Sequence, residues 1–331
     1  MPQISRHPLG NTGIDVPVLS LGAGQYRIAD EEQNIAAVHR AIELGMNYVD
    51  TSPLYGNGQS QIVLGRALAG VRDPYILATK VGHFAEISNY RDEEAILKQI
   101  HDNLRVLQCD HIDVLQIHEA EWRRWWANTP PYDRTIEPDE MFDFADAPIM
   151  RALRRARQQG LCRFIGITGN TTLQLMQVLR HVEVDTILLA YNYNLIYRAT
   201  RRHALPLAIE RGVAPIVAGP LYGGRLAAVH REWLDNPLDW MRSNVRDALS
   251  RLYDIQAESG ISLPELAIRY LLKDSEIASL LTGARSVAEV EQNVAFAEAG
   301  PLPHHLHQAI EELGVNEVEV HSWLIDFYAG R

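Results

Sequence analysis

Four ionisable side chains, Asp50, Tyr55, Lys80 and His118, stand at or just beyond the ends of short apolar runs. A free phenol, with a pKa near ~10, accepts protons poorly at neutral pH, but an adjacent ammonium favours the phenolate. Lys80 would provide that charge, Asp50 would hold Lys80 protonated and in place, and His118 would donate a hydrogen bond to a substrate oxygen. Tyr55 would then give a proton to that oxygen or take one from it. Each residue alone also has an ordinary structural role. Asp50-Thr51-Ser52-Pro53 is good turn chemistry, and Tyr55 suits a rim. A lysine after an apolar strand snorkels to solvent, and a lone histidine is more often core than catalyst. Only their convergence on one place would make a proton-transfer site.

The elements that would bring them together follow from the apolar pattern. Runs rich in Val, Ile and Leu at residues 18–22, 48–50, 75–80, 112–118, 164–168, 186–190, 215–218 and 277–281 predict strands. Between them, 33–44, 60–68, 93–107, 149–159, 173–181, 204–211 and 263–272 carry apolar residues at helical spacing. Gly45, Gly160 and Gly212 follow helical stretches as stop signals. Eight strands in this rhythm predict an α/β fold, a (β/α)8 TIM barrel spanning residues 1–331 as a single domain. A doubly wound sheet would need a Gly-rich dinucleotide turn, and no strand here is followed by GxGxxG. In such a barrel the strand ends meet at one mouth, with Asp50, Lys80 and His118 closing the second, third and fourth strands. Two connections are long, 119–147 after strand 4 and 221–260 after strand 7, and long connections are usually functional. The first concentrates Trp122, Trp125, Trp126, Tyr132, Phe142 and Phe144, which would wall a pocket or form an accessory core.

Composition narrows the class. The 331 residues are 47% hydrophobic and 22% charged, enough apolar matter for a large core. The net charge of −11 argues against nucleic acid as a partner. No apolar run approaches the ~18 residues that span a bilayer, so no membrane association is expected. The 2 cysteines, Cys109 and Cys162, fit neither a disulfide framework nor zinc-ligand spacing, and a reducing, cytoplasmic setting with no metal is the expectation.

Five segments together are specific. Residues 6–22 (RHPLGNTGIDVPVLSLG), 50–56 (DTSPLYG), 77–80 (LATK), 112–118 (IDVLQIH) and 283–293 (GARSVAEVEQN) resemble successive blocks of the aldo-keto reductase superfamily, in that family's order. The resemblance spans nearly the whole chain. It implies a barrel closed at the bottom by an N-terminal β-hairpin, a nicotinamide cofactor bound without a Rossmann domain, and the tetrad Asp50, Tyr55, Lys80 and His118.

The same resemblance implies cofactor contacts. In GITGN (166–170), Thr168 stands for a serine that holds the carboxamide, and Asn170 serves only if the loop shifts by one residue, because Gly169 falls at the expected asparagine. Ala190 replaces an expected glutamine, with Asn192 as substitute. Gly219, Pro220 and Leu221 match the seventh-strand block, but Ala218 stands where a tyrosine often stacks on the nicotinamide, so Tyr222 or a tryptophan would have to flank the ring. For Pro220 and Gly223-Gly224, turn chemistry and phosphate contact remain equal readings. Gly283, Arg285, Glu289 and Asn293 fall in the adenosine-phosphate block, where a helix N-terminus suits phosphate. Glu289 would repel a 2′-phosphate and accept a bond from a ribose hydroxyl, which favours NAD over NADP, while Arg285 is near enough in sequence to bind that phosphate.

The loop after His118 and the forms of the fifth and seventh blocks look like the aldose 1-dehydrogenase branch, which implies oxidation of a sugar at its anomeric carbon to a lactone. Trp122, Trp125 and Trp126 would offer faces to the ring, Glu119, Arg123, Arg124 and Asn128 polar partners to its hydroxyls, and Tyr55 and His118 would meet the reacting oxygen. An NADPH-dependent aldehyde or ketone reductase, a pyridoxal dehydrogenase and a non-catalytic cofactor-binding subunit are the rival readings. The partner in each is a small molecule, and oligomeric state does not follow from the sequence.

Overall fold

Strands of three to eight residues, β-branched and apolar on both faces, must be covered on both sides, and the chain achieves this by closing them into a barrel. The computed structural model describes residues 4–71, 75–238 and 241–315. A hairpin of β1 (Arg6–Pro8) and β2 (Asp15–Pro17) is followed by the barrel strands β3 (Leu19–Gly22), β4 (Tyr48–Asp50), β5 (Ile76–Val81), β6 (Ile112–Ile117), β7 (Cys162–Gly169), β8 (Thr186–Ala190), β9 (Ala214–Ala218) and β10 (Ser279–Gly283). Each pairs in parallel with the next, and β10 returns to β3, with Leu280 opposite Leu19 and Gly283 opposite Gly22. All eight expected strands are present, and the sheet is the (β/α)8 barrel expected.

The helices are α1 (Glu31–Glu43), α2 (Gln59–Leu68), α3 (Glu93–Leu107), α4 (Pro148–Gln158), α5 (Thr172–His181), α6 (Leu205–Glu210), α7 (Glu232–Asp235), α8 (Ser243–Ser259), α9 (Leu263–Leu271), α10 (Val287–Glu298) and α11 (His304–Leu313). The 221–260 connection is therefore not an open loop. It holds α7 and α8, whose buried Val245, Ala248, Leu249, Leu252 and Tyr253 recur at helical spacing. Residues 239–240 of that connection lie outside the described residues. The 118–147 connection is irregular, with one short helical turn at Arg123–Trp125 and a bridge between Trp122 and Thr135.

Two apolar layers position the mouth. Inside the barrel, Tyr48, Ala78, Val114, Leu188, Ile216 and Leu281 pack with Leu9 and Val16 from the hairpin, which plugs the N-terminal end. Outside, the strands and helices share a much larger buried cluster. The interior is thus filled from below, and Asp50, Lys80 and His118 stand at the C-terminal ends of their strands. The turn between α6 and β9 abuts the hairpin closely, since a Cβ on Gly10 would lie 2.8 Å from the Gly212 carbonyl oxygen.

Gly65 shows how tightly the outer layer is set. It brings α2 against the end of α3, where a Cβ would fall 2.4 Å from the Val106 carbonyl oxygen. Backbone cannot yield as a side chain can, so Gly65→Ala is expected to destabilise the fold by about 1–3 kcal/mol, measured as a lowered urea midpoint. A midpoint equal to that of the parent would show that the α2–α3 contact is looser than described.

Candidate active site

Lys80 lies inside the barrel mouth on β5, 1% exposed, and such an ammonium requires a counter-charge. Asp50, 3% exposed at the end of β4, provides it through a short Lys80 Nζ to Oδ1 hydrogen bond. A second ammonium proton goes to the Thr51 carbonyl at 2.8 Å, and Gln116 Nε2 donates to the other Asp50 oxygen at 2.9 Å. Burial lowers the Lys80 pKa and Asp50 opposes that shift. Asn103 on α3 donates to the Lys80 carbonyl at 2.9 Å, and Gln61 on α2 donates to Asn103 and to Thr79, so the surrounding helices fix the strand that carries the lysine.

Tyr55 sits in the turn that follows β4. Its backbone N–H bonds the Ser52 carbonyl, and its own carbonyl accepts from Ser60 at the start of α2. The half-buried ring has Lys80 Nζ 4.8 Å from its centroid and meets the His118 ring edge-on at 5.7 Å. His118 follows β6, with its N–H on the Val81 carbonyl and Nδ1 2.9 Å from Ser52 Oγ. Burial, then His83 and Lys80, holds the imidazole well below its usual pKa, so it is neutral. The four expected residues are thus brought together at the ends of β4, β5 and β6.

The expectation for Tyr55 needs a correction. Its pKa lies well above that of a free phenol, raised by burial and then by Asp50, Tyr191 and Glu119. The ammonium of Lys80 directs protons to Asp50 and Thr51, and the adjacent carboxylate offsets its charge. Tyr55 is therefore a protonated phenol, an acid ready to donate.

Beside His118 the rim is acidic and acceptor-rich. Glu119 accepts from Asn170 Nδ2 at 2.9 Å and lies 3.4 Å from His83 Nε2. Burial and the charge of Arg124 push His83 down to about 4, so it is neutral and does not offset Glu119. Below this layer Glu121 accepts the Asn170 N–H at 2.5 Å, and burial pushes its carboxyl up to about 7.

Other expected contacts are placed differently. Trp125 and Trp126, 1% and 3% exposed, donate their indole N–H groups to the His118 and Ala120 carbonyls, so they are packed beneath the mouth and offer no open face. Trp122 is half-buried under the Arg124 guanidinium at 4.5 Å. Thr168 bonds the Ile117 carbonyl and receives the Glu119 N–H, tying β6 to β7. Asn192, 1% exposed, donates to the Asn170 carbonyl at 2.6 Å and so buckles two loops together. Gly169 has no room for a side chain, because a Cβ would fall 2.3 Å from Glu121 Oε2. Tyr222 is buried against Tyr197. Tyr191 is the partly exposed aromatic here, its ring packed on Gly219, where a Cβ would sit 2.7 Å from it. Tyr191, His83, Arg27 and Arg225 carry no sequence motif that marks them. Only their places one to seven residues beyond strand ends could have pointed to them.

A nicotinamide dinucleotide carries a central pyrophosphate, and the chemistry of one sector fits it. Arg27 follows β3, Arg225 follows β9 and Arg285 follows β10, three adjacent strands. Space around Gly283 is open, and the first turn of α10 leaves N–H groups without intrahelical acceptors. Glu289 closes that turn, accepting the Arg285 N–H at 2.8 Å with its carboxylate 3.8 Å from the Arg285 guanidinium. Pro220 is buried and Leu221 half-buried in the turn after β9, and Asn293 donates to Thr282 Oγ1 at 3.4 Å, tethering α10 to β10.

A closed parallel barrel whose mouth combines a proton donor, a neutral imidazole and an anion-ready sector defines a (β/α)8-barrel oxidoreductase. The Aldo/keto reductase family model matches residues 18–315, and the chain belongs to that family. It is 31% identical over 306 residues to an L-galactose dehydrogenase of Arabidopsis thaliana, covering 89% of this chain and 88% of that protein. It is 26% identical to an NADH-specific methylglyoxal reductase of Escherichia coli strain K12, covering 87% and 92%. The holo form of an aldo-keto reductase from Bacillus halodurans superposes with a TM-score of 0.75 at 28% identity, covering 96% of this chain and 99% of that one. Aldo-keto reductases use NAD(P)H and act on small molecules. Among the described residues no helix is long and apolar enough to cross a membrane.

Removing one partner of the buried pair leaves the other charge stranded. Lys80→Met is expected to destabilise the protein by about 3–5 kcal/mol, and adding Asp50→Asn should recover most of that loss. Urea unfolding of the two singles and the double measures it, and strictly additive losses would contradict the coupling.

Proposed function

We propose that the protein transfers hydride between NAD(P) and the anomeric carbon of an aldose, oxidising the cyclic sugar to its lactone. The observation that carries this reading is the Glu119 carboxylate, fixed beside His118 by the Asn170 amide at 2.9 Å and set 3.4 Å from a histidine held uncharged. Such a rim accepts hydrogen bonds from the hydroxyls of a neutral polyol and disfavours an anionic substrate. The likeness to an L-galactose dehydrogenase supports the same reading.

A bound nicotinamide would supply the hydride acceptor or donor. Tyr55 takes the proton of the anomeric hydroxyl as the carbonyl forms, and gives it back in reverse. His118 donates a hydrogen bond to the same oxygen, and Lys80 with Asp50 holds the floor against which Tyr55 packs. Glu119 receives neighbouring hydroxyls, and Trp122 borders the opening. Arg27, Arg225 and the first turn of α10 would hold the cofactor's phosphates. Glu289, already bonded to the Arg285 N–H, opposes a 2′-phosphate and favours NAD.

A second reading, reduction of an aldehyde or ketone, is favoured by one observation, the protonated state of Tyr55. The two are separated by initial rates at the reduced-nicotinamide absorbance band, with NAD or NADP against aldoses and pyridoxal, and with NADH or NADPH against simple aldehydes. Aldose-dependent reduction of NAD supports the first, and activity on aldehydes alone supports the second.

The pH dependence carries a definite sign. A raised phenol pKa leaves the base form scarce at neutral pH, growing about tenfold per pH unit. Oxidation should therefore accelerate with rising pH while reduction does not. Tyr55→Phe should lower kcat by about 10²–10⁴-fold in both directions with the cofactor Kd nearly unchanged, and turnover near that of the parent would reject the assignment. Glu289→Arg removes the opposing charge and frees Arg285, and should shift the NADP-to-NAD ratio of kcat/KM by about 10–100-fold toward NADP. An unchanged ratio would mean that another group reads the ribose.

A further inference from the structure

The ring of His118 is held on one side only. Nδ1 lies 2.9 Å from Ser52 Oγ, while Nε2 has no protein hydrogen-bond partner among the described residues. Ser52 is fully buried, and its oxygen also accepts the Leu54 N–H at 3.1 Å. A hydroxyl has a single proton to donate, and a buried proton without an acceptor is costly. If Nδ1 carried the imidazole hydrogen, Ser52 would accept twice and its own proton would have no acceptor other than the nitrogen already facing it. The arrangement that satisfies every group has Ser52 O–H donating to Nδ1, which leaves the imidazole hydrogen on Nε2.

We propose that Ser52 is a positioning residue that fixes His118 as its Nε2–H tautomer, the form able to donate to a substrate oxygen held between His118 and Tyr55. The inference rests on the proposed reading for the place of that oxygen, but the tautomer itself does not. The backbone keeps the two residues in register. His118 N–H is on the Val81 carbonyl, its carbonyl receives Trp125 Nε1 at 3.2 Å, and Ser52 is two residues beyond the end of β4. The hydroxyl also resists a second proton on the ring. To protonate Nδ1, Ser52 must turn its own hydrogen away inside a dry site. The charged and titratable groups facing the ring are Lys80 with its Asp50 partner, Tyr55, His83 and Glu119. The substrate-facing donor therefore keeps one form across the pH range in which Tyr55 is asked to give or take a proton.

The test is nitrogen-15 NMR of the full chain labelled at histidine, which distinguishes protonated from bare ring nitrogens. With 13 histidines in the chain, the His118 pair is assigned by its absence from His118→Asn. The expected pattern is a protonated Nε2 and a bare, hydrogen-bonded Nδ1, constant over the pH range in which the fold is stable. Ser52→Ala should shift the ring to a mixture of tautomers and lower kcat about tenfold, the scale of one hydrogen bond, with the cofactor Kd unchanged. Ser52→Thr, which keeps the hydroxyl, should restore both. A hydrogen on Nδ1 in the parent protein overturns the proposal, as does a Ser52→Ala variant with the parental pattern or the parental kcat. If the parent protein turns over no aldose or aldehyde, the functional reading fails, and the NMR pattern alone still decides whether Ser52 sets the tautomer.

Discussion

The ion pair of Asp50 and Lys80 is the constraint around which the mouth is built. An ammonium 1% exposed cannot persist without a carboxylate, and the carboxylate cannot be buried without further donors. The chain answers with two neighbouring strands that place Asp50 against Lys80, a third that adds Gln116, and two helices that clamp the lysine's strand through Asn103 and Gln61. A barrel can do this because parallel strands in register bring their C-terminal residues to one level. Once formed, the pair still acts on its neighbours, Asp50 raising the Tyr55 pKa and Lys80 lowering that of His118, each after burial. The phenol above it remains protonated and the imidazole beside it remains neutral, and both follow from the burial that made the pair necessary.

That arrangement divides the mouth electrostatically. From β4 to β7 the mouth carries the Asp50–Lys80 pair, a neutral histidine pair, amides and the Glu119 and Glu121 carboxyls. From β9 through β10 to β3 the loops carry Arg225, Arg285 and Arg27. An anionic dinucleotide is drawn to the arginine sector, which leaves the other sector, with Tyr55 at the boundary, to a small molecule.

The sequence made the strands legible because each is a continuous apolar run, and it made Asp50, Lys80 and His118 legible because a polar residue that ends such a run has one direction to point. Tyr55 was reached through the turn that follows Asp50. Where the reading fell short, tertiary packing had reassigned the residue. Trp125 and Trp126 look like binding aromatics in a polar loop, yet their indole N–H groups serve backbone carbonyls and their rings cover the core. Helix α8 was hidden because its apolar residues are spaced among charges in a segment read as a connection. The phenol's protonation state depended on where the lysine's protons go, and no spacing encodes that.

Three residues that line the mouth beyond the tetrad share a backbone feature that argues for a common purpose. His83, Glu119 and Tyr191 lie within two residues of the ends of β5, β6 and β8, and all have left-handed φ values, +57°, +54° and +67°. A side chain in that region is strained, so it persists only where surrounding contacts hold it. Each has such contacts. Glu119 and His83 face each other, Asn170 holds Glu119, and Tyr191 rests on a glycine that leaves room for its ring. Left-handed geometry turns a side chain away from the course its strand would give it, and at these three positions it turns an imidazole, a carboxylate and a phenol toward the space beside Tyr55 and His118. The strain at each strand end is offset by the contact that holds the side chain there, so the three residues are fixed facing one space.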